Sequence, residues 1–545
     1  MARAYHRCGA GNILLSAFRQ TARRHSARRP VRRIYLMETL SYLAHGFGIA
    51  LAPTNLLLAA IGAIVGTMVG VLPGLGPINA VAMLVPVVFA LGLTPESSLI
   101  LMAAIYIGSE YGGRISAILL NVPGEASAVM TAIEGYPLAR QGKAGIALSL
   151  SAWTSFVGSA IATLGIVIAA PLLARWALAF GPIEYVALMV FAFACLTGLL
   201  TDQPVKALLA IMLGLGISTI GIDANSGVYR YTFDSPNLVD GVQFATVVIG
   251  LFAISELLIM LESMKGGAAP RIEQLGRPLF NRAEMKFTNA ATMRGSLIGF
   301  FVGILPGAGG TVASALAYTT EKRVVERTDP EGSRFGQGDM RGLASVEAAN
   351  NSASNSNFIP MLTLGIPSSG TTAIMLGVLT LYNITPGPAL FRSQPDLVWG
   401  LIASLFIGNV FLLAINIPLV GLFARMLSVP AWVLVPFIVV VSTIGVYSGK
   451  STTFDLVLMV ALGVGAYFLR RFGVPMAPLI LGLVLGKILE QSLRRALSLS
   501  AGDVAILWSS PIAIVLWVMA ALVLLVPLLM PRFRRWREEA ITEPD

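Results

Sequence analysis

The chain has 545 residues, 56% of them hydrophobic and 12% charged, and a formal net charge of +10. A soluble protein of this length carries about twice that charged fraction, so the composition, with a mean hydropathy of +0.78, excludes an ordinary water-soluble domain. The charge does not mark a nucleic-acid surface, because nine arginines and no acid lie within residues 1–36 and removing those nine leaves +1.

Residues 1–36 read as a basic N-terminal extension. The stretch RRHSARRPVRR suits a basic arm or an organelle-type presequence. METLSYLAHGFGIALAP, beginning at Met37, is a natural opening for a membrane protein and argues for a start there. Long uncharged windows then run from Glu38 to Glu96, Lys143 to Arg175, Asp396 to Arg425 and Asp503 to Arg532. A spanning helix needs about 20 apolar residues, so the windows predict an all-α polytopic membrane protein with about 10–13 membrane segments.

A first membrane repeat is expected over 37–261. Inside it, GVLPGLGP (70–77) sets three glycines and two prolines in eight positions, which is turn chemistry where a membrane helix should be most regular. GSEYGGR then places Glu110 and Arg114 four apart, able to pair on one helix face. Such charges read either as functional groups or as a structural pair at the membrane boundary. LLNVPGEASAVM (119–130) makes a second break. The stretch 223–240 sets Asp223, Asp234 and Asp240 against Arg230 and is expected to face outward.

The linker 262–294 carries six basic residues and the segment 321–341 five, which assigns both to the cytoplasm under the positive-inside rule. A second repeat is expected over 295–531. Its GFFVGILPGAG (299–309) matches GTMVGVLPGLG (66–76) at an offset of 233, and TLGIPSSGTTAIM (363–375) resembles 119–130, with Pro367 against Pro123. Two cytoplasmic flanks argue for a re-entrant hairpin over 295–320 rather than a broken continuous helix. Residues 532–545 read as a cytoplasmic tail.

Each half thus carries two Gly/Pro breaks, the pattern that points to the substrate site of two-repeat secondary transporters. In lipid, a broken helix survives only where protein or a water-filled cavity shields its backbone. The N–H groups freed at the start of the second half-helix, with its dipole, attract an anion. One such motif alone reads as a proline kink or a packing face; four in two matched pairs read as a site.

SVEAANNSASNSNFIP (345–360) offers uncharged amides and hydroxyls. They suit a hydrated cavity, a carboxylate or Na+, or else a solvated loop with helix caps. IPSSGTT (366–372) adds four hydroxyls around Gly370, or a turn whose hydroxyls bond back to the backbone. YSGKS (447–451) ends like a phosphate loop, but Ile444 stands where the first glycine is required, so ATP is not expected. Two of the three histidines, His6 and His25, lie in the extension. With only His45 left, no nucleophilic triad forms and an enzyme is not expected. The two cysteines, Cys8 and Cys195, make no disulfide framework or metal spacing.

At GVLPGLGP, AILLNVPGEASAVMTAIEGYPLARQGKAGIAL and GILPGAGGTVASALAY the chain resembles the large membrane subunit of the tripartite tricarboxylate transporters, over roughly residues 40–490. Residues that match the family's motifs are Pro73, Gly74, Gly76, Asn121, Pro123, Gly124, Pro306, Gly307, Gly309, Pro367 and Ser368. The EGYPLARQGKA block (134–144) is particularly specific. Glu134 stands where the family often has Asp, and the basic extension departs from the family. The resemblance implies an elevator-like, two-repeat permease of the bacterial inner membrane. It would import tricarboxylates or related carboxylates on a Na+ or H+ gradient, not on ATP. Two partners are implied: a small four-helix membrane subunit and a periplasmic solute-binding protein. A stand-alone ion-coupled carrier or channel for organic anions is the alternative.

Substrate contacts are therefore expected at Pro73, Gly74, Gly76, Asn121, Pro123, Gly124, Gly307, Gly309, Ser368, Ser369 and Thr371. Ion-coupling contacts are expected at Asn350, Asn351, Ser352, Asn355, Asn357 and Thr372. No cofactor is expected, and no metal apart from Na+.

Overall fold

A computed structural model describes residues 37–72, 75–199, 203–223, 226–263, 279–419, 421–423 and 431–529. The basic extension, the C-terminal tail and residues 264–278 of the 262–294 linker lie outside them, as do Pro73 and Gly74. Among the described residues regular structure is almost entirely helical. The exception is an antiparallel hairpin, Gly221–Ile222 against Tyr229–Arg230, in the acidic stretch 223–240 and just before it.

Among the described residues, six helices are long and apolar enough to cross a membrane: Pro53–Val71, Ala128–Ala177, Phe244–Glu262, Pro395–Asn416, Thr453–Arg471 and Met476–Leu499. Shorter apolar helices accompany them, among them Gly76–Ala90 and Gly370–Leu381. The unequal lengths follow from the Gly/Pro breaks. The Pro53–Val71 helix ends at Leu72, whose backbone is extended, and a new helix starts at Gly76 (φ +36°) with Pro77 in its first turn. Proline suits that position because its missing N–H would have no helical partner. In the second half, the Arg282–Gly303 helix ends before Gly307 (φ +77°), and the Gly309–Thr328 helix starts at φ +55°. Glycine takes this left-handed backbone at little cost.

The remaining two breaks use different chemistry. Asn121 ends the Pro95–Leu120 helix in the left-handed region at φ +55°, which asparagine tolerates better than most residues. Gly365 turns the chain after Phe358–Thr363, and Ser369 and Thr372 then form a reciprocal cap on the Gly370–Leu381 helix.

The arms of the 295–320 region fold back on each other. Arg294 donates to both Glu321 oxygens, at 2.8 and 2.7 Å. Along one continuous helix these residues would stand about 40 Å apart at 1.5 Å rise per residue, so the pair requires a hairpin.

Two helix pairs pack backbone to backbone. A Cβ on Gly62, Gly66 or Gly70 would stand 2.8, 2.3 or 2.2 Å from the carbonyl oxygens of Leu101, Ile105 and Ser109. A Cβ on Gly295, Gly299 or Gly303 would stand 2.2, 2.2 or 2.5 Å from those of Ser345, Ala349 and Ala353. The two glycine sets differ by 233 in residue number, and the two carbonyl sets by 244. Small residues one turn apart allow this close approach.

The Met340–Ser356 helix is central, and every residue from Arg341 to Ser356 is buried. Its polar residues bond across to other helices: Asn351 Nδ2 to Ser155 Oγ at 2.8 Å, Asn355 Nδ2 to Ser159 Oγ at 3.0 Å, and Ser352 Oγ to the Ser296 carbonyl at 2.7 Å. A membrane interior offers such groups no water, so helix partners satisfy them.

Glu134 explains the EGYPLARQGKA block. Its buried carboxylate accepts from the backbone N–H groups of Gly336, Gly338 and Asp339 at 2.6, 2.9 and 2.7 Å, and from the Tyr318 hydroxyl at 2.8 Å. Gln141 adds a bond to the Gln337 carbonyl at 2.7 Å. The block therefore fastens the loop before the central helix. Glu134→Ala would strand three backbone donors, at a cost of about 3 kcal/mol or more. It is expected to lower the thermal midpoint of detergent-solubilised protein and to open 329–339 to protease, with the substrate KM of surviving protein unchanged.

Candidate substrate cavity

All four breaks meet at one cavity of about 580 Å³. Residues 75–79 come from the first break, 124–127 from the second, 307–311 from the third and 368–371 from the fourth. Residues 473–477 close another side, and Tyr106, Glu110, Phe252 and Arg470 complete the wall. Five helices begin at this wall, at Gly76, Ala128, Gly309, Gly370 and Met476. Of these, only the Gly370 start has its first turn capped by a side chain. First-turn N–H groups without helical partners, on the positive ends of helix dipoles, make an anion-attracting wall.

Of the residues expected to touch substrate, Gly76, Gly124, Gly307, Gly309, Ser368, Ser369 and Thr371 line the cavity. Asn121 and Pro123 do not; they shape the second break, Asn121 exposed and Pro123 half-buried. Pro73 and Gly74 lie outside the described residues.

None of the six residues expected to couple ions lines the cavity. Asn350 reaches it indirectly, by donating to Glu110 Oε2 at 2.9 Å. The Asn357 amide pairs with the Tyr106 hydroxyl at 2.9 Å, and Thr372 is engaged in the Ser369 cap. Asn351, Ser352 and Asn355 serve the helix contacts described above.

The pairing expected between Glu110 and Arg114 is not formed. Arg114 turns to Glu347, Nη1 to Oε2 at 3.7 Å, donates to Ser155 Oγ at 2.8 Å and the Ser151 carbonyl at 3.1 Å, and lies over the Tyr111 ring at 4.1 Å. Four-residue spacing makes a pair possible within one helix. Here the buried Glu347, on a neighbouring helix, offers a partner that Thr131 and Ser155 already hold in place. Glu110 is left at the cavity wall. The stretch that resembled a phosphate loop is helical through Lys450.

The cavity also holds groups that the motifs did not mark. Glu125 lies beside Glu110, and Arg470 is the one cationic side chain among the lining residues. Arg470 Nη1 donates to Glu256 Oε2 at 2.6 Å and to Ser255 Oγ at 3.1 Å. Both partners follow a π-helical stretch, Ile249–Ile254, that brings Phe252 to the wall. The sequence carried a weak signal for Arg470: an Arg pair closing an otherwise apolar helix before the glycine of FGVP. For Glu125 the signal was its place inside the second break.

The sequence pattern of the tripartite tricarboxylate transporter TctA family matches residues 56–481. Two proteins of Agrobacterium vitis are similar to the chain. One, a 52.8 kDa protein from the TAR-I region 3′ of ttuC′, is 41% identical over 512 residues, 94% of this chain and 100% of its own length. The other, from the TAR-II region 3′ of ttuC′, is 42% identical over 247 residues, 45% of this chain and 100% of its own length. No solved structure matches the chain.

Proposed function

This chain belongs to the tripartite tricarboxylate transporter TctA family, and on that premise we propose that it is the permease subunit of a binding-protein-dependent, ion-gradient-driven importer of tricarboxylates or related carboxylates in the bacterial inner membrane. The observation that carries this reading is the meeting of four helix breaks at one cavity, with five helix starts opening on it. The cavity's volume of about 580 Å³ falls within the range of small-molecule sites, about 300–1,000 Å³. Helix starts supply N–H donors and positive dipole ends for carboxylate oxygens, and Arg470 supplies the one formal positive charge at the wall.

The matched glycine registers favour two homologous repeats. Each repeat contributes two breaks to the cavity, so rocking or elevator-like movement of the breaks against the rest of the protein exposes the cavity to each side in turn. A carboxylate entering the cell brings negative charge, which an inside-negative potential opposes by about 2.3 kcal/mol per charge per 100 mV. Co-transported cations offset that opposition. Delivery falls to a periplasmic binding protein, and a small four-helix membrane subunit completes the complex.

The test is reconstitution in liposomes with the small subunit and the binding protein. Carboxylate uptake is expected to require a cation gradient and the cognate binding protein, and to survive ATP depletion while the gradient is clamped. ATP-driven uptake without a gradient would overturn the reading. Full-rate uptake without a binding protein would replace it with a stand-alone carrier.

A further inference from the structure

An anion-binding cavity with two carboxyl groups in its wall poses a charge problem. Glu110 projects from the Pro95–Leu120 helix and Glu125 from the break that follows it, and both line the cavity. Glu125 packs against Gly113, one turn beyond Glu110 on the same helix, so both carboxyls face one part of the wall. Two neighbouring carboxyl groups make this part of the wall acidic, and Arg470, the one cationic side chain of the lining, bonds to Glu256 instead. Arg114, one turn beyond Glu110, is committed to Glu347.

The oxygens nearby have a second, independent property. Asn350 donates its Nδ2 to Glu110, and its carbonyl Oδ1, in a residue only 4% exposed, has no donor. The Ser368 hydroxyl, fully buried at the wall, has no partner, and neither does Glu125 Oε1. Tyr106, one turn before Glu110, lines the same cavity as Ser368 and Ser369. Gly310 leaves room for the amide: a Cβ there would stand 2.1 Å from Asn350 Oδ1. Buried oxygens without donors are costly, and here they surround two carboxyl groups. An anion worsens that arrangement. A hard cation relieves it, because carboxylate, amide and hydroxyl oxygens are its usual ligands.

We propose that Glu110, Glu125, Asn350 and Ser368 form a binding site for one monovalent metal cation of sodium size in the wall of the substrate cavity. The proposal rests on the reading of the protein as a cation-coupled importer and names the residues that couple. A bound cation cancels the negative charge that faces the incoming carboxylate, so each ligand raises the affinity of the other by the same factor. Coupling then needs no relay between distant sites.

Two measurements test it. In the first, thermal unfolding of the purified protein is followed in NaCl and in choline chloride at equal ionic strength, without substrate. Na+ is expected to raise the midpoint saturably, since a ligand that binds only the folded state stabilises it. The rise should vanish in Glu110→Gln and need at least tenfold more Na+ in Ser368→Ala, which removes one hydroxyl and keeps the fold should Glu110→Gln prove unstable. No Na+-specific rise in the wild type, or equal rises in wild type and Ser368→Ala, overturns the site. In the second, carboxylate uptake into proteoliposomes is measured at fixed pH with Na+ replaced by choline, and is expected to fall at least tenfold. Uptake indifferent to Na+ and driven by a pH gradient alone overturns the cation site and leaves the importer standing. Na+ stabilisation that persists with no carboxylate uptake under any gradient sinks the importer reading and leaves the site.

Discussion

Gly309→Leu abolishes carboxylate uptake while the protein still folds and inserts. Gly309 opens the Gly309–Thr328 helix and lines the cavity, and a Cβ built on it meets nothing within 4 Å. A leucine there grows into the space the substrate needs rather than into neighbouring helices. Its φ of +55° costs a leucine about 1–2 kcal/mol, a tolerable loss for a protein of this size. Uptake is expected to fall at least 100-fold, read in proteoliposomes at equal protein content. Gly307→Leu should fare worse, since its Cβ already approaches Leu196 within 3.1 Å at φ +77°; that variant loses folded yield as well as transport. The control is Gly465→Leu, on an exposed helix face with nothing within 4 Å, which should transport normally. Gly463 does not serve, because a Cβ there meets Ile254 at 2.4 Å. If Gly309→Leu and Gly465→Leu transport alike, the cavity is not the path of the substrate.

The helix breaks were legible in the sequence because glycine and proline act locally. They stop a helix wherever they stand, so Gly76, Gly307 and Gly309 announced their turns without knowledge of the fold. The loop charges likewise announced the hairpin that the Arg294–Glu321 pair requires. Partner choice was not legible, because it is a property of neighbouring helices. The four-residue spacing of Glu110 and Arg114 suggested an internal pair, yet Glu347, over 200 residues away in sequence, takes the arginine. The run Asn350–Asn357 has the composition of a hydrated surface. It lies instead on a helix surrounded by others, where Asn351, Asn355 and Ser352 bond to Ser155, Ser159 and the Ser296 carbonyl. Asn350 instead faces Glu110, a distinction no one-dimensional pattern contains. Arg470 and Glu125 were missed for the same reason: each is a single charge whose meaning comes from the wall it joins.

Arg470→Gln raises the KM for a tricarboxylate 10- to 100-fold and changes the KM for a monocarboxylate far less. The guanidinium uses Nη1 for Glu256 and Ser255, and the side chain remains 29% exposed at the cavity wall. Its remaining donors can serve a ligand. A charge-assisted hydrogen bond contributes about 1.5–3 kcal/mol, and each 1.4 kcal/mol is tenfold in affinity, which sets the expected range. If the helix starts hold one carboxylate of an organic acid, a monocarboxylate has little use for Arg470; a second and third carboxylate then need another counter-charge, and the lining residues offer only this one. Loss of Arg470 also strands Glu256, which is 5% exposed, and that alone would lower stability. The double variant Arg470→Gln with Glu256→Gln removes the stranded charge. Its thermal midpoint should recover toward the wild type while the raised tricarboxylate KM persists. Arg470→Lys keeps the charge but not the planar fork, so its KM should fall between the wild type and Arg470→Gln. Recovery of KM together with stability in the double variant would reduce Arg470 to a structural partner of Glu256.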